Sequence, residues 1–296
     1  MRLSKLAWLL LLSAPIPAAT AAVRDVHIPV AGTELLTRLW VPDGPGPHPA
    51  IVLNHGAPRR AEDRAKRPDY PAAARWFYER GFVVAVPARR GYGPGGGVYA
   101  ESFGSCDRPD YIRAGKATAV DIAAVLKWLR RQPYVDRARL LAQGQSAGGF
   151  GVLAVAARRP QGLLAVLNFA GGRGSPAANR NCSEKALVTA VGHFARDARV
   201  PALFVYAQND TFFWPRFARR IYSAWAQASP ARATFVQLPA YANDGHRVFG
   251  SADGPALWGP VVADFLRTLG FQISAGPEAL EWREQAPEWR GLDDAP

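Results

Sequence analysis

The 296-residue chain is poor in the residues that build metal centres and disulfide frameworks: it has two cysteines, Cys106 and Cys182, and five histidines. These seven form no close metal-ligand spacing, which excludes zinc fingers and ribbons, and no metal or cofactor is expected. Two cysteines allow at most one bridge, and no spacing rule decides whether it forms. Long apolar runs are missing too. The stretch Leu6 to Leu12 falls short of the about 20 residues that span a bilayer, and no later stretch reaches that length, so an integral membrane span is excluded. The sequence lacks an interdomain linker and any insertion large enough for a separate lid domain. It also lacks a basic run interleaved with aromatics. Its densest basic stretch, "PRRAEDRAKRP", carries Glu62 and Asp63 among its arginines and reads as a solvated loop, so nucleic acid is not an expected partner.

What is present begins with an address. Arg2 and Lys5 precede the short apolar run, Pro15 and Pro17 follow it, and Ala18 to Ala22 are small residues, with Ala19-Thr20-Ala21 as a cleavage site. This is the layout of a secretory signal peptide, expected over residues 1–21, and implies a periplasmic or secreted protein. The formal charge of +12 becomes +10 once Arg2 and Lys5 leave with it, a balance that favours anionic surfaces or acidic substrates. With 49% hydrophobic and 20% charged residues, segment 22–273 is expected to fold as one domain. Residues 274–296 form a tail whose echo of Glu-Trp-Arg, at 281–283 and 288–290, is too short for a repeat; Trp282 and Trp289 are expected to pin it to the body.

Within that domain, "RDVHIPV" and "TELLTRLWV" read as two strands joined by a turn at Ala31-Gly32, and "AIVLNHG" as a buried strand. From there helices and strands alternate: "AAARWFYERG" (helix), "FVVAVPA" (strand), Tyr111 to Arg131 (helix), "RLLAQG" (strand), "SAGGFGVLAVAARR" (helix), "GLLAVLNFAGG" (strand). "SEKALVTAVGHFARDA" (helix), "PALFVYAQ" (strand), Pro215 to Ala228 (helix), "ATFVQLP" (strand) and Pro260 to Leu269 (helix) complete the series. Continuous apolar strands between amphipathic helices predict an α/β fold with a mostly parallel sheet of about eight strands, covered on both faces.

In such a sheet, reactive groups belong on loops at the carboxyl ends of the strands. The strand "RLLAQG" runs into Gly144-Gln145-Ser146-Ala147-Gly148 and then an apolar helix. A serine on that sharp turn has its hydroxyl thrust off the sheet, glycines remove the collision between strand and helix, and the Ala147 amide points at a developing oxyanion. A nucleophilic serine needs a base and an orienting acid. Among the histidines, His27 and His48 fall at the wrong end of the sheet, His193 lies in a helical pattern, and His55 precedes the serine and reads as structural. His246, in "LPAYANDGHRVFG", leaves the last strand and is the base. Asp210, in "QND" after the penultimate strand, is preferred as the acid over Asp244, which is close enough to His246 to shape its own turn. In "LNHGAP", Ala57 is the second oxyanion donor, since Pro58 has no N–H.

The ordered set "LNHGAP", "RRGYGPGGG", "GQSAGG", "QND" and "DGH" resembles the α/β-hydrolase superfamily, and within it the lidless serine members grouped with dienelactone hydrolases and related peptidases, over about Thr33 to Leu269. The resemblance implies a catalytic Ser146, Asp210 and His246 with an oxyanion hole at Ala57 and Ala147. True dienelactone hydrolases carry cysteine as nucleophile, so a lactone substrate is not implied. "GYGPGG" matches a dinucleotide fingerprint only formally, because it continues as a loop where that site requires a helix. It borders the cleft with Tyr92 and Tyr99. Phe212, Phe213 and Trp214, with Tyr206, suggest an aromatic binding wall, and Arg89, Arg90 and Arg173 a partner for a substrate carboxylate. The expected activity is hydrolysis of an ester of a small molecule through an acyl-enzyme. A serine exopeptidase of the same fold and a noncatalytic hydrolase-fold binder are the alternatives. Oligomeric state is not legible.

Overall fold

A computed structural model describes residues 22–94 and 96–273, so the expected signal segment 1–21 and tail 274–296 lie outside the described residues. Strands β1 (Ala22–Val30) and β2 (Thr33–Val41) form an antiparallel hairpin. Then come β3 (His48–Asn54), α1 (Pro71–Tyr78), β4 (Val83–Pro87), α2 (Tyr111–Leu129), β5 (Val135–Gln145) and α3 (Ala147–Ala157). The chain continues through β6 (Leu163–Phe169), α4 (Glu184–Ala195), β7 (Ala202–Ala207), α5 (Pro215–Ala228), β8 (Ala233–Leu238) and α6 (Gly254–Thr268).

The eight strands make one sheet in the order β1-β2-β4-β3-β5-β6-β7-β8. Its hairpin edge is antiparallel; every pair from β4-β3 to β7-β8 is parallel. Parallel strands need helical crossovers, and these bury both faces. That is why β4 and β7 are buried at every position, with no polar alternation to read. Helices α2 to α5 cover one face, centred on Ile122, Phe150, Val191 and Trp225. Helices α1 and α6 cover the other, where Trp76, Phe77 and Trp258 pack ring against ring. Helix α3, between the sheet and α2 and α4, has ten of its eleven residues buried and is apolar all round, as a central helix must be. Among the described residues no helix is long and apolar enough to cross a membrane, and no lid covers the carboxyl edge of the sheet.

Two boundaries differ from expectation by four residues or more. Helix α6 begins at Gly254, six residues before the expected Pro260, because Pro255 occupies the first turn, where its fixed φ is favourable. Pro260 then sits inside the helix and resembles a start only because it lacks an N–H. Strand β5 begins at Val135, not Arg139; buried Val135 is followed by half-buried Asp136 and exposed Arg137 and Ala138, so the continuous apolar pattern starts late.

Candidate active site

The carboxyl ends of β3 to β8 deliver six loops to one edge of the sheet. Ser146 sits between β5 and α3 at φ 55° and ψ −120°. A non-glycine residue there stores strain on the order of 1–3 kcal/mol and persists only where its surroundings enforce it. They do so through backbone bonds: Ser146 N–H donates to Phe169 O (2.9 Å), while its carbonyl accepts from Phe150 N (2.9 Å) and Gly172 N (3.1 Å). The close crossing explains the flanking glycines. A Cβ on Gly144 would strike the Gly148 backbone, and one on Gly148 would strike the carbonyls of Asn54 and His55. Ala147 begins α3, so its N–H is one of the first-turn donors that a helix cannot satisfy internally.

His246 and Asp210 meet across two neighbouring loops. The imidazole Nδ1 lies 3.1 Å from Asp210 Oδ2 and 3.2 Å from Oδ1, with both side chains buried. Asp210 is fixed from behind, since Oδ1 also accepts from the amides of Phe212 (2.8 Å) and Phe213 (2.9 Å). Asp244 instead braces the loops, accepting from Thr211 N (3.1 Å), Thr211 Oγ1 (2.9 Å) and His246 N (3.1 Å). Burial alone would raise its pKa; these hydrogen bonds outweigh burial and hold its carboxyl below the usual range. Asn209 clips the same loop by donating to the carbonyls of Tyr241 and Ala242.

No hydrogen bond joins Ser146 Oγ to His246 among the described residues; in unliganded sites this contact is often loose. What couples their loops is Gln145. Its Nε2 donates to the His246 carbonyl (2.7 Å), its Oε1 accepts from the Tyr70 hydroxyl (2.9 Å), and Tyr70 Oη accepts from Gly56 N–H (3.2 Å). The turn at Ser146, the loop of His246 and the loop after β3 are therefore tied by one continuous chain of hydrogen bonds. Sequence reasoning missed it, because Tyr70 and Gln145 are 75 positions apart. Buried Tyr70 has its pKa pushed up to about 12, chiefly by burial, and stays a neutral donor.

A cleft of about 320 Å³ opens at Ser146, with Ala57 and Ala147 beside it and Tyr92, Tyr99, Phe212 and Phe213 as aromatic walls. A larger hollow of about 420 Å³, between the starts of α2 and α4, contains none of these residues. Phe212 lies flat on the His246 ring, centroids 4.1 Å apart and 13° from parallel. Trp214 and Tyr206, expected in the binding wall, do not line the cleft. Trp214 packs on Phe217 one turn along α5, as the residue preceding a helix readily does. Tyr206 is buried, its hydroxyl donating to Gly171 O (2.8 Å). The Cys106–Cys182 disulfide is formed and lines the cleft.

The strand-end arginines are not free for substrate either, apart from Arg173. Arg89, wholly buried, pairs with Glu101 and donates to His55 O (2.8 Å), and Arg90 pairs with Asp121 (2.6 Å). Arg173 is 5% exposed and lines the cleft while its Nη2 holds Glu101 (2.5 Å) and Thr118 Oγ1 (2.9 Å). Burial would raise the Glu101 pKa, yet the Arg89 and Arg173 guanidiniums keep the carboxylate ionised well below its usual range. The same cluster immobilises His55. Its Nδ1–H donates to Gly56 O (2.7 Å) while Nε2 accepts from Arg89 N (3.2 Å), and burial with the Arg89 charge lowers its pKa to about 3.

A family profile described as X-Pro dipeptidyl-peptidase (S15 family) matches residues 31–187, just over half the chain. No curated protein matches the sequence. Among solved structures, a puromycin-hydrolyzing peptidase of Mycobacterium tuberculosis is similar at 20% identity and TM-score 0.58, over 87% of this chain but only 41% of its own length. An esterase of Pyrococcus furiosus is similar at 14% identity and TM-score 0.59, covering 84% of this chain and 93% of its own. Acetyl xylan esterase 1 of a Thermoanaerobacterium species is similar at 17% identity and TM-score 0.59, covering 86% of both chains. At these identities the likeness is one of fold.

Proposed function

Since this chain belongs to the X-Pro dipeptidyl-peptidase (S15) family, with the fold of the α/β hydrolases, we propose that it is a serine hydrolase that cleaves a small ester through an acyl-enzyme. The observation that carries the reading is the geometry at the strand ends: a serine held at positive φ beside a cleft, and a buried imidazole bonded through Nδ1 to a doubly anchored carboxylate.

In this reading Ser146 Oγ bonds to the substrate carbonyl carbon while its proton passes to His246 Nε2. The carbonyl oxygen takes up the displaced electron pair and is held by the amides of Ala57 and Ala147. Asp210 keeps the ring oriented and stabilises its positive charge. The tetrahedral species collapses, the bond to the leaving group breaks, and the alcohol departs with the proton from His246. Water then attacks the acyl carbon and gives its proton to His246; collapse releases the acid and restores Ser146. The family description names a peptidase, and an amide would follow the same steps. A free peptide amino group needs an acidic anchor, however, and no carboxylate lines the cleft among the described residues. That favours the ester.

A fluorophosphonate probe tests the reading: labelling at Ser146, lost in Ser146→Ala together with aryl-ester turnover, is expected. Turnover surviving in Ser146→Ala refutes it, and an unlabelled native protein points to a noncatalytic binder. The proposal also places the protein outside the cytoplasm, supported by the Arg2 to Ala22 leader pattern and the disulfide. Cell fractionation with sequencing of a mature amino terminus at Ala22 checks this, and retention of Met1 in the cytosol refutes it.

A further inference from the structure

The charged side chains that line the cleft among the described residues are of one sign. Among the described residues its lining contains Arg59, Arg64 and Arg173 and no aspartate or glutamate. In its floor, the guanidiniums of Arg89 and Arg173 share the single carboxylate of Glu101, which leaves one positive charge uncompensated in a buried cluster. The nearby carboxylate of Asp121 is taken by Arg90. Arg173 Nε is buried and has no hydrogen-bond partner, a donor left over on a side chain that borders the cleft. Burial costs a cation dearly unless an anion accompanies it, so this floor is electrostatically incomplete without one.

The mouth repeats the pattern. The Arg59 guanidinium lies 4.5 Å from the Phe212 ring centroid and that of Arg64 lies 4.1 Å from the Tyr99 centroid. Phe212 has His246 stacked against it, so Arg59 occupies its other face. Each long arginine is held down on an aromatic wall of the cleft, and neither forms an ion pair among the described residues; of their acidic neighbours Glu62 and Asp63, Asp63 is paired with Lys66. A guanidinium resting on a ring keeps its edge donors free and loses little entropy on meeting a planar anion.

We propose that the substrate carries an anionic group, a carboxylate or another oxyanion, received by Arg59 and Arg64 over the positive floor at Arg173. Neither an uncharged ester nor a peptide with a free amino end matches this lining. The inference rests on the serine-hydrolase reading above and adds the substrate class. The anion can belong to either side of the scissile bond, and two matched pairs of esters separate the sides. 4-Nitrophenyl hydrogen adipate against 4-nitrophenyl hexanoate places a carboxylate on the acyl group. 4-Acetoxybenzoate against its methyl ester, followed by acetate release, places it on the leaving group.

In at least one pair the charged member is expected to exceed its neutral partner about tenfold in kcat/KM at low salt. That ratio should fall towards one in about 0.5 M salt, which shortens the screening length to a few ångströms, and in the Arg59→Gln/Arg64→Gln double variant. Both residues sit at the cleft mouth, outside the core, and the ratio is independent of the amount of folded protein. Ratios at or below one in both pairs, with neutral esters turned over, overturn this inference alone. A ratio unchanged in the double variant overturns it as well. Absence of turnover for all four esters together with absence of fluorophosphonate labelling removes the hydrolase reading, and this inference with it.

Discussion

Two histidines follow strands of the same sheet, and each lies buried near a carboxylate, yet they are built for opposite ends. At His55 both ring nitrogens are committed, Nδ1 to Gly56 O and Nε2 to Arg89 N–H, and the neighbouring charge is positive. At His246 only Nδ1 is committed among the described residues, to Asp210, and the ring face is covered by Phe212 beside the cleft. A base must keep one nitrogen available and must be stabilised when it takes a proton. His246 meets both conditions and His55 meets neither. Burial, which the two share, does not separate them; the sign of the partner and the count of occupied nitrogens do.

The comparison breaks most visibly by exchange of the damage. His246→Ala is expected to reduce kcat on an aryl ester by at least about a thousandfold, with a melting temperature within a few degrees of the native value, because the proposed mechanism gives the ring a chemical role. His55→Ala is expected to lower stability by about 2–4 kcal/mol, seen in urea unfolding, since it empties a buried site and leaves the Arg89 amide unpaired. An inactive His55→Ala protein of native stability would reverse the assignment.

Next in size is Glu101. Glu101→Gln leaves Arg89 and Arg173 facing each other without a counter-charge, and breaking a buried ion cluster costs about 3–5 kcal/mol. Glu101→Asp should recover part of that loss, whereas a purely packing role predicts equal loss in both variants.

The same cluster sets an acid limit. Folded His55 takes up a proton only at about pH 3, while an exposed histidine does so near 6.5. Between those values the unfolded chain binds the extra proton, so stability is full above about pH 6.5 and falls as pH drops through the window. Folded Glu101 stays ionised below its usual range, so it adds loss in the same direction below about pH 4.5. Melting temperature measured from pH 7 to pH 4 should fall steadily, and less steeply in His55→Gln. A flat profile would mean that His55 is solvated.

The sequence makes local features legible. A strand, a glycine-flanked serine and an apolar helix occupy one short stretch, so the elbow can be read there, as can the strand-end positions of Asp210 and His246. Features that depend on distant residues were not legible. Glu101 lies in an aperiodic loop between β4 and α2, and only the folded chain places it between two arginines. The Cys106–Cys182 bridge was an open question for the same reason. Trp214 misled because three consecutive aromatics look like one wall, whereas the turn into α5 sends Phe212 and Phe213 to the cleft and Trp214 to Phe217.

The finest distinction concerns Gln145, which belongs to the elbow motif only as an unspecified position, yet spans from Tyr70 to the His246 carbonyl. As a positioning residue it should act on kcat. Gln145→Leu keeps the bulk and removes both hydrogen bonds, so kcat should fall about tenfold while KM changes less than twofold, the signature of an interaction that matters in the transition state. Gln145→Glu keeps the acceptor for Tyr70 but faces the His246 carbonyl with an oxygen, and should resemble Gln145→Leu. Tyr70→Phe removes the bonds to Gly56 and to Gln145 Oε1 but leaves Gln145 bonded to the His246 carbonyl, and is expected to cost about threefold. If kcat stays constant while the melting temperature drops, the chain from Tyr70 to His246 serves stability and the loops hold their places without it.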